Sequence, residues 1–377
     1  EGIPVNYYLD KKYKPFAMDI FGNTPEMLTF YSDTLNFKYP WAKYHQVVVK
    51  DFVSGAMENT SAVIHGDFVQ KTRRELLDGS HEDVIAHELF HHWFGDIVTC
   101  ETWSQITLNE GFATYGEYLW KSYKYGDDEA RYHLNKDLQA YLREAKATPK
   151  HLIRHHYDKI DDVFDSHSYQ KGGRVLHMLR NEVGDPLFFE ALNVYLNKFQ
   201  YTHAEIDDLR LVFEDVTGRD LKWFFDQWYQ EKGHPQVTVE YHWNDSLKTL
   251  ELEVYQSQTA DWPTFQFHVP LVIGTNTGNI TKTLDIQNAF ETKSFQLEET
   301  PTFIAIDPKG DMLWELEEKG QDSTFLVNQL QFAPSFIARS RALNKLVKKY
   351  PESGNDYCAI SLSDPFWVMR AYGLSAI

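Results

Sequence analysis

Two histidines and two glutamates form the most chemically informative pattern of this chain. His87, Glu88 and His91 make up an HExxH sequence, and eighteen residues separate His91 from Glu110. Residues four apart project from the same face of a helix, so His87 and His91 can offer two imidazole nitrogens to one ion. Two histidines and a carboxylate leave one position of a tetrahedral zinc ion open for water, which is typical of catalytic sites. The spacing therefore predicts a zinc site with His87, His91 and Glu110 as ligands.

The sequence around these residues predicts two helices that carry them. Ser80 and Asp83 form a capping pattern just before the first helix, and Gly95 follows it. Apolar residues at helical spacing predict a second helix from about 104 to 125, with Gly126 as its stop and Glu110 in its first turns. A lone HExxH could equally well be two unrelated histidines beside a solvated glutamate. The downstream Asn-Glu-Gly sequence favours the metal site.

A third segment offers a means of recognising peptides. Gly55-Ala56-Met57-Glu58-Asn59 follows a strand-like run from 46 to 52. A glycine permits close backbone approach, and an extended edge can bind a peptide as an added strand. The Glu58 carboxylate could pair with a charged α-amine, which only a chain terminus supplies. A turn with an acidic surface residue would be the better interpretation if the zinc motif were absent.

The segment Ser168–Gly173 supplies a tyrosine at the start of another helical run. A phenol directed at the developing oxyanion of a tetrahedral intermediate would contribute about 2.7 to 4 kcal/mol, by comparison with other single oxyanion donors. Tyr169 is one of 22 tyrosines, so it gains meaning only from its neighbours.

Together these motifs resemble the aminopeptidase N family of gluzincin zinc peptidases, which also contains leukotriene hydrolase. The resemblance extends by motif from about residue 20 to 233. It implies one Zn²⁺ per chain, with Glu88 as general base, Tyr169 as transition-state stabiliser and Glu58 as the anchor of the free α-amine. It also implies that the substrate-binding site is lined by Gly55, Ala56, Met57, Glu58 and Asn59.

The implied activity is hydrolysis of the first peptide bond of peptides with a free N-terminus. A thermolysin-type zinc endopeptidase shares HExxH and a downstream glutamate but lacks the Gly-x-Met-Glu-Asn segment, so Glu58 discriminates between the two. A non-catalytic interaction scaffold of the same fold is another alternative. It is disfavoured because every catalytic position is filled. Epoxide hydrolysis, which one branch of the family performs, is a minor alternative that no residue selects.

Four further residues near the motifs have expected roles. Asp96 and Glu117 are candidates for hydrogen bonding to the ligating histidines, because such partners fix their tautomers. Cys100 is expected to be a small buried thiol rather than a metal ligand. Thr107 stands where many family members have a large apolar or aromatic residue, so the packing of the Glu110 helix is expected to differ.

The predicted fold class is α+β. Residues 19–233 are predicted to form a thermolysin-like domain with a β lobe and a helical lobe, followed by a β-sandwich at 234–318 and the start of a helical repeat domain at 319–377. Within the helical lobe, Thr202 and Glu205 are expected to cap a helix. Residues 1–18 are interpreted as the tail of an N-terminal β domain, which in family members supplies a second amine-binding residue. The chain is thus interpreted as the middle part of a longer protein.

Composition limits the partners. A net charge of −18 disfavours nucleic acids and anionic membranes. No apolar run is long enough to span a membrane, the N-terminus does not read as a signal peptide, and two distant cysteines give no disulfide framework. The sequence leaves the compartment and the oligomeric state open.

Overall fold

The computed structural model describes residues 2–375. Glu1, Ala376 and Ile377 lie outside this range, as do the corresponding ends of the predicted domains. The chain divides into two compact units. The first unit runs to Gly126 and resumes over Lys136–Glu231, and the second consists of Asp127–Asn135 and the residues from Lys232 onward. All predicted site residues belong to the first unit.

The first unit opens with a mixed four-stranded sheet. Its strands are β1 (Val5–Tyr8), β2 (Tyr44–Val49), β3 (Ala56–Met57) and β4 (Ala62–Gly66). Their order is β1-β2-β4-β3, with β1 and β4 parallel to β2 and with β3 antiparallel to β4. The Gly55–Asn59 segment therefore contains a two-residue edge strand. Such a strand presents unpaired backbone groups.

Helices make up most of the rest of the first unit. They are α1 (Ala17–Phe21), α2 (Thr24–Thr34), α3 (Glu82–Phe90), α4 (Thr107–Tyr125), α5 (Asp127–Ala147), α6 (Gly172–Val183), α7 (Asp185–Phe199), α8 (Ile206–Thr217) and α9 (Lys222–Phe225). The N-terminal part of α5 is assigned to the second unit. A two-stranded parallel sheet of β5 (Val98–Cys100) and β6 (Thr202–Ala204) lies among them.

Two helix starts differ from the sequence-based expectation. Residue 81, not Ser80, precedes the first turn of α3, and no side chain caps this helix. Thr202 does not cap α8, because it is part of strand β6; instead Glu205 and Asp208 form the capping box. The predicted end of α4 at Gly126 agrees with the structure, where this glycine has a φ of 90°.

Small residues bring the site-bearing helices into close contact. A Cβ atom at Gly116 of α4 would lie 2.6 Å from the Phe90 ring of α3, so the glycine lets these helices approach each other. At the other face of α4, Gly111 meets Gly172 of α6, where an added Cβ on Gly172 would lie 2.9 Å from the Gly111 Cα. Helix α4 is thus held between the two helices whose ends bear the other candidate catalytic groups.

Among the described residues, the second unit contains two further sheets and four complete helices, together with the N-terminal part of α5. One sheet has the order β10-β9-β12 and the other β11-β8-β7-β13. The strands are β7 (Gln236–Asn244), β8 (Thr249–Gln256), β9 (Phe267–Thr275), β10 (Gly278–Ile286), β11 (Phe290–Gln296), β12 (Phe303–Ile306) and β13 (Glu315–Lys319). In β7 the residues Val237, Val239 and Tyr241 are buried while their neighbours are less so, which is the alternation of a strand with one covered face.

The final helices of the second unit share an apolar core. They are α10 (Ser323–Phe332), α11 (Phe336–Lys349), α12 (Gly354–Leu362) and α13 (Trp367–Leu374). Leu330, Phe336, Leu343 and Met369 are buried together in this core. In the described range 2–375, none of the helices is both long enough and apolar enough to cross a membrane.

Candidate active site

The three predicted metal ligands converge on one point. The Nε2 atoms of His87 and His91 each lie 3.2 Å from the same Oε2 oxygen of Glu110. All three side chains are buried. His87 and His91 come from successive turns at the end of α3, while Glu110 comes from the first turn of α4. The contact between α3 and α4 therefore brings together two nitrogens and one oxygen from distant parts of the chain.

The charge balance of this group fits a divalent cation. Burial lowers the pKa of His87, but hydrogen bonds with Glu110 and Glu117 outweigh burial and raise the pKa well above its usual value. For His91, burial is likewise outweighed by Glu58 and Glu110, and its pKa rises to about 9. Both buried imidazoles therefore favour the positively charged form, and they lie around one carboxylate. A cation is stabilised at this point. A zinc ion would displace those protons, and the two nitrogens and one oxygen are donors it prefers.

Each of the two candidate ligand rings, His87 and His91, is fixed by a partner at its other nitrogen. Nδ1 of His87 lies 2.8 Å from Oε1 of Glu117, and Nδ1 of His91 lies 3.1 Å from the Phe94 carbonyl. These contacts direct both Nε2 atoms toward Glu110. Glu117 thus lies where the sequence-based hypothesis expected it. Asp96 does not lie behind a candidate ligand, because its carboxylate lies 3.7 Å from Nε2 of His92 and accepts a hydrogen bond from Thr60.

Glu88 is a buried carboxylate suited to accepting a proton. Its Oε2 atom has no hydrogen-bond partner among the described residues, and it lines the cleft described below. Burial raises the pKa of Glu88 to about 7. His87 and His91 act in the opposite direction and lower this pKa, but the negative charges of Glu58 and Glu110 offset part of their effect. A carboxyl group with a pKa near 7 exchanges a proton readily at neutral pH, as a general base requires.

Tyr169 lies beside the candidate metal site on a single π-helical turn, His167–Lys171, that leads into α6. Its ring is nearly parallel to the His87 ring, with the centroids 5.9 Å apart. Burial and a hydrogen bond with the charged Glu110 raise the pKa of Tyr169 above its ordinary value. The phenol therefore remains protonated and available as a donor at neutral pH.

A cleft of about 970 Å³ joins these groups to the edge strand. It is lined by Gly55, Ala56, Met57 and Glu58 as well as by the three candidate ligands, Glu88 and Tyr169. The Oε1 atom of Glu58 lies 3.9 Å from Nδ1 of His91. Asn59, the last residue of the predicted substrate-binding set, is not among the lining residues; its carbonyl accepts a hydrogen bond from the Ala62 amide.

The environment of Cys100 differs from the buried position that the sequence suggested, and that of Thr107 is polar. Cys100 is only partly buried and forms part of the cleft wall, and burial raises the pKa of its thiol to about 11. Thr107 is buried and donates a hydrogen bond of 3.0 Å to the Ser168 carbonyl. Its hydroxyl lies where the Cβ of a larger residue at Gly172 would have to fit.

Residues 18–228 match the model of the peptidase family M1 domain. The chain belongs to peptidase family M1. This assignment confirms the resemblance that the motifs indicated. M1 peptidases depend on zinc, and the match includes every residue of the candidate site.

Several M1 aminopeptidases are similar to this chain. Alanine/arginine aminopeptidase of Saccharomyces cerevisiae is 34% identical over 258 residues, which cover 64% of this chain and 29% of the relative. Aminopeptidase M1-C of Oryza sativa subsp. japonica is 33% identical over 255 residues, or 64% of this chain and 27% of the relative. Aminopeptidase N of Lactococcus lactis is 32% identical over 242 residues, or 60% and 27%. The aligned part is less than a third of each relative's length.

A solved structure supports the mixed α/β fold. The crystal structure of Legionella pneumophila aminopeptidase A in complex with aspartic acid aligns with a TM-score of 0.79. It covers 98% of this chain and 43% of the other, at 19% identity. At this level of identity the likeness concerns the fold.

The structure adds residues that the motif reading did not identify. His92 is buried; its Nδ1 lies 3.1 Å from the Glu88 carbonyl, and its Nε2 accepts a hydrogen bond of 2.9 Å from the Ser61 amide. It thereby ties α3 to the turn that follows Glu58. The aromatic side chains of Trp103, Tyr157 and Phe164 line the cleft. No periodic sequence pattern identifies these residues, because the residues that they contact lie far away in sequence.

Proposed function

We propose that this chain is the catalytic part of a zinc-dependent aminopeptidase that hydrolyses the first peptide bond of peptides with a free N-terminus. The observation that carries the proposal is that one cleft contains both the Glu58 carboxylate and the group of His87, His91 and Glu110. A carboxylate beside a hydrolytic centre binds a positively charged α-amine and so limits the substrate to chain ends.

In this proposal His87, His91 and Glu110 hold the zinc ion. When bound there, zinc lowers the pKa of a coordinated water from 15.7 toward about 7 and polarises the scissile carbonyl. Glu88 accepts the proton of the attacking water. It then transfers that proton to the departing amine, a contribution of typically about 10²- to 10⁴-fold. The Tyr169 hydroxyl donates a hydrogen bond to the oxygen on which negative charge develops.

The two alternatives are less well supported. A thermolysin-type endopeptidase has to accept uncharged chain interiors, and a carboxylate in the cleft disfavours them because it would lie desolvated and unpaired beside the substrate. A non-catalytic scaffold does not require a buried carboxylate oxygen without a hydrogen-bond partner among the described residues, such as Oε2 of Glu88. We further propose that 19–233 is the thermolysin-like catalytic domain, 234–318 a β-sandwich and 319–377 the start of a helical domain.

Hydrolysis of aminoacyl fluorogenic amides by this chain tests the zinc-dependent reaction. We expect release that a chelator abolishes and that added zinc restores. The absence of chelator-sensitive release would contradict the proposed function.

Comparison of free-amine and N-acetylated substrates tests the role of Glu58. Glu58→Ala should reduce the preference for the free amine, whereas Glu190→Ala, which changes an exposed residue of α7, should leave it unchanged. An undiminished preference in Glu58→Ala would exclude Glu58 as the amine anchor and reopen the endopeptidase alternative.

A further inference from the structure

We propose that Arg154 and Asp165 are positioning residues for Tyr169, fixing the backbone of its π-helical turn so that the phenol faces the reacting carbonyl. The inference rests on the proposed function for its catalytic consequence. The geometric part, that this pair orders the turn, stands independently and is tested independently below.

Asp165 caps the turn that bears Tyr169. Its Oδ1 atom accepts hydrogen bonds of 3.1 Å from the backbone amides of both His167 and Ser168. The carbonyl of Asp165 accepts a further hydrogen bond of 3.1 Å from the Tyr169 amide. One residue thus holds three successive amides, and the third is that of Tyr169 itself.

Arg154 binds both carboxylate oxygens of Asp165. Its Nη1 atom donates to Oδ2 of Asp165 at 2.5 Å, and its Nη2 atom donates to Oδ1 at 3.0 Å. The same Nη2 donates to the Ser168 hydroxyl at 2.6 Å. A planar guanidinium that binds a carboxylate through two nitrogens restricts both distance and orientation, which a lysine in its place could not do. Arg154 is only 9% exposed, so the pair is shielded from competing water.

The charged residues around Asp165 stabilise the turn and do not form a second cation site. Glu144, Asp165 and His167 are close enough to coordinate an ion. However, Lys150 Nζ lies 2.7 Å from Oδ2 of Asp165, the same oxygen that Arg154 binds. Two cationic side chains already compensate this carboxylate, and a metal ion would be repelled by both. The charges serve to hold the turn.

The other side of the turn is fixed to the helix that bears Glu110. Thr107, in the first turn of α4, donates to the Ser168 carbonyl at 3.0 Å. Thr107 therefore fixes the position of Tyr169 relative to Glu110. Arg154 and Asp165 fix the conformation of the turn that carries Tyr169. Loosening the second restraint should misplace the phenol without removing a metal ligand.

The expected kinetic signature follows from where the phenol acts. An interaction made in the transition state changes kcat, while ground-state binding determines KM when dissociation is fast. We expect Arg154→Lys and Asp165→Asn to lower kcat by about 10- to 100-fold, which is less than the roughly 10²- to 10³-fold effect of deleting an oxyanion donor. KM and zinc content should change by no more than about twofold.

A double-mutant cycle with Tyr169→Phe separates positioning from a general loss of structure. If Arg154 acts through the phenol, Arg154→Lys should have little further effect on kcat once Tyr169 is phenylalanine. The control is Arg210→Lys, which alters an arginine paired with Asp207 and Glu214 on α8, outside the cleft-lining set. Equal fold losses of kcat in both backgrounds, or a similar loss in Arg210→Lys, would overturn the proposal.

Hydrogen exchange gives a readout that does not depend on activity. Arg154→Lys and Asp165→Asn should lower the protection of the amides of residues 167–169, and Arg210→Lys should not. Unchanged protection in both variants would overturn the positioning role even if kcat falls. If the wild-type chain hydrolyses no amide, the proposed function fails, whereas the exchange experiment still decides whether the pair orders the turn.

Discussion

Replacement of Gly172 by alanine is the most direct test of how the site is held together. The backbone of Gly172 is already helical, with φ −54° and ψ −52°, so alanine is compatible with the local conformation. In an isolated helix, replacing glycine by alanine would stabilise the helix by about 0.8 to 1 kcal/mol. The surroundings reverse that expectation. The new Cβ would lie 2.3 Å from the Thr107 hydroxyl and 2.9 Å from the Gly111 Cα.

Neither neighbour can yield easily. Thr107 is β-branched and hydrogen bonded, and Gly111 contributes backbone of α4. Restoring ordinary contact requires α4 and α6 to separate by roughly 1 Å, and overpacking of this kind costs about 1 to 3 kcal/mol. Because the gain in helix propensity offsets part of this cost, we expect the fold to be destabilised by a net amount of about 1 to 2 kcal/mol. Since Glu110 and Tyr169 flank this contact, a displacement of about 1 Å should lower kcat by up to about 10²-fold.

Urea unfolding, zinc content and kcat on one aminoacyl amide should be measured for Gly172→Ala. The matched control is Gly173→Ala, whose Cβ would lie 3.1 Å from a Thr114 methyl and 3.4 Å from the Gly111 carbonyl oxygen, so it needs a shift of only a few tenths of an ångström. Adding Thr107→Ala to Gly172→Ala removes the nearest atom but leaves the Gly111 backbone, so it should restore part of the lost stability. Wild-type stability and kcat in Gly172→Ala would refute the idea that backbone contact between α4 and α6 sets the geometry.

Three further predictions concern single carboxylates. Glu88→Gln should lower kcat by about 10²- to 10⁴-fold at unchanged zinc content, and metal loss in this variant would argue against a role as base. Glu117→Gln should weaken zinc binding by about 10- to 100-fold in chelator competition, because Nδ1 of His87 loses its charged partner; equal affinity would exclude that support. Burial alone would raise the pKa of Asp165, but hydrogen bonds from Arg154 and Lys150 outweigh it and lower the pKa to about 2. This carboxylate should therefore stabilise the fold above about pH 4 and lose that effect as the pH falls toward 2, so the difference in urea midpoint between wild type and Asp165→Asn should be larger at pH 6 than at pH 2.5.

The local part of the site could be predicted because helical geometry alone relates its residues. His87 and His91 face one point since they are four residues apart, and Gly126 ends α4 since a positive φ favours glycine. The grouping of Glu58 and Tyr169 with them came from the family resemblance. No local rule relates residues so distant in sequence.

Features that depend on long-range contacts were missed. The start of α3 is held not by Ser80 but through Glu82, which accepts hydrogen bonds from Asn23 and Tyr125. Thr202 lies in a strand because it pairs with Val98, about a hundred residues earlier. A capping pattern read from neighbouring residues cannot reveal either partner.

The buried charges around Tyr169 were missed for a related reason. Arg154 and Asp165 are eleven residues apart in a segment without regular periodicity. Their sequence context resembles that of solvated surface residues, and only the fold shows that they are shielded. The same holds for His92, whose partner Ser61 lies 31 residues away.

The shortness of β3 has a consequence for turnover and solubility. Among the described residues β3 is two residues long, Ala56 and Met57, and the Gly55 carbonyl accepts one further hydrogen bond from the Gly66 amide of β4, so the ordered strand edge along the cleft is short. A peptide added to such an edge forms few main-chain hydrogen bonds, which align its first residues but contribute little to residence time. In the proposed function, the shortened product would then leave and rebind in a new register. A short edge strand also offers few unpaired backbone groups to a strand of another chain, which disfavours aggregation by strand addition.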